Sequence, residues 1–312
     1  MARALPTAFV LVLLAATAAA FSLTERAKLE LSPIYGTQPD QVFSPDSKVG
    51  RTRLARIRFR VRKAERIDVW IEDSGGDKVA DLVVDRSVRP RQEVRLVWDA
   101  FTEAGTLVPD GTYFPVVKLT RSHRTIVLPS DIVLDTRPPR ITVFPRTKYP
   151  IISPDGDGHA DTFRVRYRVS EPAHGILLLR GKQVVYTLGQ KTTGELTWNG
   201  KKPGTSRSLP PGRYVLGVAA RDRAGNQSPG RPFAIAQIRY VSLGRERVVA
   251  RPRGRFAIRV STDAPRVEWR LHGRSGTLPR GTLHLRAPKR RGVYRLYVTA
   301  ATHTAACVVV VA

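Results

Sequence analysis

Asp155, Asp157, His159 and Asp161 occupy alternate positions of the stretch SPDGDGHADTF, residues 153–163. Carboxylates two residues apart in a glycine-supported loop can converge on one hard cation, and Ca²⁺ collects several such oxygens. The DGDG core matches the start of a calcium loop. A helical calcium loop needs a glutamate at its twelfth position, however, and here that position is Arg166. His159 stands fifth, where imidazole is a poor calcium ligand. The other reading is a tight turn, in which the aspartates bond nearby backbone N–H groups and start a strand over 162–169. Both readings stand at this point. Asp155, Asp157 and Asp161 are the candidate metal ligands, for at most a structural calcium, and no other cofactor is expected. No second acid or histidine motif accompanies the cluster, so carboxylate catalysis is not expected.

No other catalytic constellation is visible. The chain lacks a nucleophile elbow, a paired-histidine zinc motif, a phosphate-binding loop and a dinucleotide fingerprint. Its histidines, at 123, 159, 174, 272, 284 and 303, are dispersed. His272 and His284 fall in strand-like runs where alternation could place them on one face. The sequence therefore reads as non-enzymatic. Cys307 is the single cysteine and lies in an apolar run, so it reads as a small buried hydrophobe and no intramolecular disulfide can form.

The elements that must position these residues are strands. The 24 glycines and 23 prolines are scattered, as in many turns between short strands. In RIRFRVRK (56–63) arginine alternates with Ile57, Phe59 and Val61, the mark of a strand buried on one face. Two copies of one pattern follow each other. SPDSKVGRTRLARIRFRV (44–61) matches SPDGDGHADTFRVRYRV (153–169). VWDAFTEAGTLVPDGTYFPVVKL (97–119) matches TWNGKKPGTSRSLPPGRYVLGVA (197–219), pairing Trp98 with Trp198 and Tyr113 with Tyr214. Each Trp ends a strand and can cover a core, each Pro-x-Gly is a tight turn, and each Tyr opens an inward-facing strand. Asp222 and Asn226 lie in RDRAGNQS (221–228), read as a Gly-Asn hairpin turn closing the second copy. DTRPPR (135–140) is a stiff junction. Residues 238–312 read as a third β unit, in which KRRGVYRLYVTA (289–300) echoes the Gly-x-Tyr strand.

The two copies, over about 40–237, resemble the immunoglobulin-like domain of the flagellar hook-capping protein FlgD and of many exported bacterial proteins, and SPDGDGHADTF is similar to the SPNGDGxNDTF entry loop of such domains. The resemblance implies an all-β chain of tandem immunoglobulin-like β-sandwiches. It makes Trp98, Tyr113, Trp198, Tyr214, Asp222 and Asn226 structural residues, and it implies service as a spacer, an adhesion module or an enzyme accessory. The expected division is 1–33 as signal peptide or membrane anchor, then 34–138, 139–237 and a basic unit 238–312.

Residues 4–23 form an uninterrupted apolar stretch, predicted to be helical and long enough for a signal peptide or one membrane span. Either places the remainder outside the cytosol, secreted or membrane-anchored. Net charge is +27 and grows along the chain: residues 34–138 hold 18 basic and 15 acidic side chains, 139–237 hold 16 and 6, and 238–312 hold 16 and 3. Such a field favours anionic cell-wall or membrane polymers. Another exported protein is the alternative partner. No basic–aromatic module of an RNA- or DNA-binding kind is present, so nucleic acid is not expected. The sequence thus predicts an exported, non-enzymatic envelope protein acting as a stalk or binding module. An accessory of a secreted enzyme system and a calcium-dependent adhesin are the alternatives.

Overall fold

Alternation decides where the strands lie. In Ala55–Val61 every apolar residue is buried and every arginine exposed, because successive side chains of a strand point to opposite faces. The computed structural model describes Phe9, residues 12–18 and residues 31–312. These divide into two compact units, one ending at Asp135 and omitting Asp46–Val49, the other comprising Asp46–Val49 and Thr136–Ala312.

The first unit holds β1 (Ile34–Tyr35), β2 (Gln41–Phe43), β3 (Ala55–Val61), β4 (Glu65–Glu72), β5 (Lys78–Val88), β6 (Glu93–Trp98), β7 (Gly111–Leu119), β8 (Arg124–Val127) and β9 (Ile132–Leu134). One sheet has the order β1-β3-β6; the other runs β2-β9-β7-β4-β5, with β8 paired to β7. Pairing is antiparallel except between β2 and β9. Ile57, Phe59, Ile67, Val69, Leu119 and Ile132 fill the space between the sheets.

The second unit starts with β10 (Ile141–Phe144), β11 (Ile151–Ile152), β12 (Phe163–Leu179), β13 (Lys182–Tyr186), β14 (Lys191–Trp198), β15 (Gly212–Arg221) and β16 (Arg231–Ile238). The long β12 serves both sheets. Its first half pairs with β10 and β14, its second half with β13 and β15, and its pairing to β14 shifts register between Arg168 and Ala173. β11 pairs in parallel with β16. There follow β17 (Ser242–Leu243), β18 (Arg247–Ala250), β19 (Arg255–Ser261), β20 (Arg266–Leu271), β21 (Arg274–Pro279), β22 (Gly281–Arg286), β23 (Gly292–Ala300) and β24 (His303–Val311). They form sheets β17-β19-β22 and β18-β24-β23-β20-β21, with β18 parallel to β24. Two separate cores result, one around Leu177, Leu196 and Trp198, the other around Ile258, Leu296 and Val309.

The wiring is the same three times. A short first strand edges the smaller sheet, and a short second strand crosses over to lie parallel to the last strand of the larger one. This is an immunoglobulin-like sandwich. The N-terminal expectation fares differently. Phe9 and residues 12–18 are helical, but most of the 4–23 stretch lies outside the described residues. No helix among the described residues is long and apolar enough to cross a membrane.

One packing device in the second sandwich has no counterpart in its sequence pattern. The side chain of buried Tyr167 occupies the space where side chains on Gly175 and Gly194 would stand; a Cβ on Gly175 would come within 2.7 Å of its ring, and one on Gly194 within 2.6 Å of its hydroxyl and 2.7 Å of its ring. We expect Gly194→Ala to cost about 1–3 kcal/mol, the usual range for overpacking. Gly189→Ala, whose Cβ would find only Lys191 at 3.9 Å, should stay within about 0.5 kcal/mol of wild type. Denaturant midpoints of the two variants test this, and equal stabilities would contradict it.

Candidate functional site

An aromatic frame closes the end of the sandwich beside the candidate loop, where Trp198 pairs across to Phe163 at the start of β12. Trp98 and Trp198 end β6 and β14, each only 2% exposed. Their indole N–H groups donate to the carbonyls of Phe101 (3.2 Å) and Lys201 (3.1 Å). The Tyr113 and Tyr214 hydroxyls donate back to Pro109 (2.6 Å) and Pro210 (2.9 Å). Each buried ring thus satisfies its one polar atom on a nearby carbonyl. The third sandwich keeps the tyrosine, with Tyr294 donating to the Arg290 carbonyl at 2.9 Å, but no tryptophan ends β22, the strand that corresponds to β6 and β14.

The Ser-Pro-Asp loops of the first two sandwiches close alike. The Ser44 N–H donates to Thr52 and the Ser153 N–H to Ala160, both at 2.9 Å. Within the second loop, Asp155 Oδ1 accepts the Asp157 N–H at 3.4 Å and Asp157 Oδ1 accepts the His159 N–H at 2.7 Å, two successive Asx turns. Asp161 takes the N–H groups of Gly156 and Gly158, one on each oxygen, at 2.8 Å. The turn reading therefore describes the backbone. The metal-ligand geometry is also present: a carboxylate oxygen from each of Asp155, Asp157 and Asp161 lies within 4.8 Å of the others. His159 remains on the rim, its side chain 59% exposed.

Two acceptors are left over once these bonds are counted. Asp157 Oδ2 and Asp263 Oδ2 are buried without a hydrogen-bond partner. Asp263, in the β19–β20 turn of the third sandwich, and Asp157 act on the same group. Burial first, then the charges of Asp157 and Asp263, push the Asp155 carboxyl above its ordinary range. The third sandwich touches this loop directly, since the Thr302 hydroxyl donates to the Asp155 carbonyl at 3.1 Å. Beside it, Tyr240 and His303 stack with ring centroids 3.6 Å apart. Sequence reading found the three loop aspartates and missed Asp263 and Thr302, which stand more than a hundred residues further on and carry no motif.

The remaining sequence-flagged residues separate. Arg221 and Gln227 bridge across a loop longer than a two-residue Gly-Asn turn. The buried Asp222 holds it, Oδ1 accepting the N–H groups of Gly225 (2.7 Å) and Asn226 (2.9 Å) and Oδ2 accepting the Asn226 amide at 3.1 Å. His272 and His284 do not meet: His272 sits in the turn after β20 with φ 47°, against Tyr294, while His284 lies in β22 of the other sheet. Cys307 is buried, and burial pushes its thiol up, as for an inert side chain.

Charge is handled differently in the first and third sandwiches. The first pairs its cations with carboxylates: Arg60 and Arg95 with Glu93, Arg66 with Asp85, Lys78 with Asp81, Lys118 with Asp68. In residues 238–312, with 16 basic and 3 acidic side chains, no ion pair forms among the described residues.

No family model and no curated protein matches this chain. Solved structures similar to it include fibronectin(III)-like modules of Clostridium thermocellum CbhA (12% identity, 66% of this chain, 91% of that chain, TM-score 0.34). Others are a three-domain immunoglobulin segment of titin (10%, 90%, 99%, TM-score 0.29) and a bacterial ice-binding adhesin that is retained on the host cell surface (13%, 90%, 97%, TM-score 0.28). At these scores the strand wiring itself, and not the likeness, carries the fold.

Because the Asp155 pKa is raised in the folded state, its ionisation opposes folding. The stability it contributes is complete below the ordinary carboxylate range and is lost as pH rises through the raised value. In a chelator, Asp155→Asn should therefore melt above wild type at pH 7, with the difference closing as pH falls toward 4. A difference that does not change with pH would refute this account of Asp155.

Proposed function

We propose that this chain is an exported, non-enzymatic protein of the cell envelope. In this reading residues 4–23 direct it across the membrane, and the sandwiches 34–138 and 139–237, of the FlgD type, form a stalk. The basic sandwich 238–312 then contacts anionic wall or membrane polymers. The observation that carries the reading is the unpaired charge of the third sandwich. Arginines answered by carboxylates only keep a surface solvated, whereas arginines without partners hold a field open to an anionic ligand. The contact between the second and third sandwiches through Thr302 and Asp155 supports a jointed stalk that presents this surface. The purified protein should bind beads coated with an anionic polymer and phosphatidylglycerol vesicles at low salt. Binding should fall steeply as ionic strength passes about 0.1 M, where the screening length is about 10 Å. Salt-independent binding, or none at low salt, would end the proposal.

A second reading, a calcium-dependent module, is favoured by the unpartnered Asp157 Oδ2 in the group Asp155, Asp157 and Asp161. These residues supply hard oxygen donors of the kind Ca²⁺ takes, and a cation there would stabilise the Asp155 carboxylate against its burial and the charge of Asp157. Calcium at about 100 times its dissociation constant would stabilise the fold by about 2.7 kcal/mol. A melt with and without Ca²⁺ should show the rise in wild type and lose it in Asp157→Asn; no rise in wild type removes this reading.

A further inference from the structure

The larger sheet of the third sandwich turns one face to the core and leaves the other uncovered. Pairing registers place the outward side chains of that face in rows. Val249, Val310 and Val293 stand side by side, then Arg247, Val308 and Arg295, then Ala306, Tyr297 and Arg270, then Thr304, Thr299 and Glu268. Strands about 4.8 Å apart, with same-face residues about 6.8 Å apart along each strand, make this a continuous patch. Toward the Thr304 end it dips into a cleft of about 500 Å³ lined by Arg270, Arg274, Arg295, Tyr297, Thr299 and Thr304.

Arg270 and Arg295 make no hydrogen bond or ion pair among the described residues. Arg274 rests over Trp269 and donates to the Arg286 carbonyl at 3.2 Å. Tyr297 is 41% exposed between the two free guanidiniums. The hydroxyls of Thr299 and Thr304 lie 2.9 Å apart at the cleft's edge, where they offer lone pairs and a free proton. At the opposite end Val249 and Val293 are 65% and 71% exposed.

We propose that this face binds a single chain of a carboxylate-bearing polysaccharide, a polymer of uronic acid units, along the rows from the valines to the threonines. The proposal rests on the polyanion reading above and names its site. Arg270 and Arg295 would hold sugar carboxylates, for which the planar guanidinium offers two parallel N–H donors. The Tyr297 ring gives a flat apolar surface for the C–H face of a pyranose, and the threonines take ring hydroxyls. A single-stranded nucleic acid would need a succession of aromatic platforms along the groove, and this cleft offers only the Tyr297 ring and the imidazole of His272. Phospholipid headgroups offer no pyranose face for the Tyr297 ring to cover. Charge complementarity selects the anion; the exposed ring, apolar strip and hydroxyls select the carbohydrate.

The test is affinity of the full chain for polygalacturonate, with dextran, inorganic polyphosphate and phosphatidylglycerol vesicles as comparison arms. Wild type should bind polygalacturonate best and ignore dextran. Arg270→Glu with Arg295→Glu should weaken that binding by about tenfold or more, as loss and reversal of a close charge contact does. Arg270→Gln with Arg295→Gln serves if the reversal unfolds the protein. Tyr297→Ala should weaken polygalacturonate binding several-fold, with polyphosphate binding unchanged. The control, Arg251→Glu with Arg259→Glu, reverses one exposed charge just past the end of β18 and one on the outward side of the smaller sheet and should change affinity by about twofold at most. A control that loses as much as the cleft variant overturns the site and leaves diffuse polyanion binding. So does tighter binding of polyphosphate or vesicles with no effect of Tyr297→Ala. Failure to bind any anionic arm at low salt overturns the broader reading as well.

Discussion

A strand in a two-sheet sandwich turns every second side chain to the shared core, and most of this molecule is arranged around that limit. Only β12 and β15, among the described residues, bury long runs, with Ile176, Leu178 and Ala219 covered on the second face of their sheet. The buried half is ordinary: Ile, Val, Leu and Phe packed between a smaller and a larger sheet. The outward half is where the sandwiches diverge. The first answers several of its cations with carboxylates, some on neighbouring strands, as Arg66 with Asp85 and Lys118 with Asp68. Exposed pairs of this kind add little stability, about 0–1 kcal/mol each, but they leave a surface electrically quiet. The third keeps its arginines and omits the acids. One architecture thereby supports a nearly balanced surface, with 18 basic and 15 acidic residues in 34–138, and a strongly charged one, with 16 and 3 in 238–312.

The core aromatics bring a second obligation. Trp98, Trp198, Tyr113 and Tyr214, with the half-buried Tyr294 as their counterpart in the third sandwich, each carry a polar atom on a largely apolar ring, and a buried donor without a partner costs about 1–3 kcal/mol. Each finds a carbonyl three or four residues away. The bond ties the ring to the loop that closes its end of the sandwich, so core packing and loop geometry are set together. The Ser-Pro-Asp loops close alike by a different bond, Ser44 to Thr52 and Ser153 to Ala160, while their sequences differ: the second gathers three carboxylates where the first retains only Asp46.

Much of this was legible from residue order. Period-two burial in 56–61, the inward run Tyr214, Leu216 and Val218, and the repeated Trp and Tyr all follow from local pattern, because they depend on neighbours along the chain. What escaped depends on neighbours across it. Tyr167 lies over Gly175 and Gly194 through strand register, which no single strand encodes. β12 reads as one strand but turns a corner and belongs to two sheets. Asp263 and Thr302 meet the 153–163 loop because the third sandwich abuts it, and their own surroundings in sequence give no sign. Arg270, Arg295 and Tyr297 look like ordinary alternation until pairing sets them in adjacent rows.

In each sandwich the second short strand and the last strand, β2 with β9, β11 with β16 and β18 with β24, run parallel. When tension is applied to the two ends of such a domain, the paired strands are dragged in opposite directions along their length. Their cross-links are then loaded together in shear, where an antiparallel pair at the same place would peel open one link at a time. A tether that must stay folded under pulling, with no disulfide to hold it, is served by that geometry.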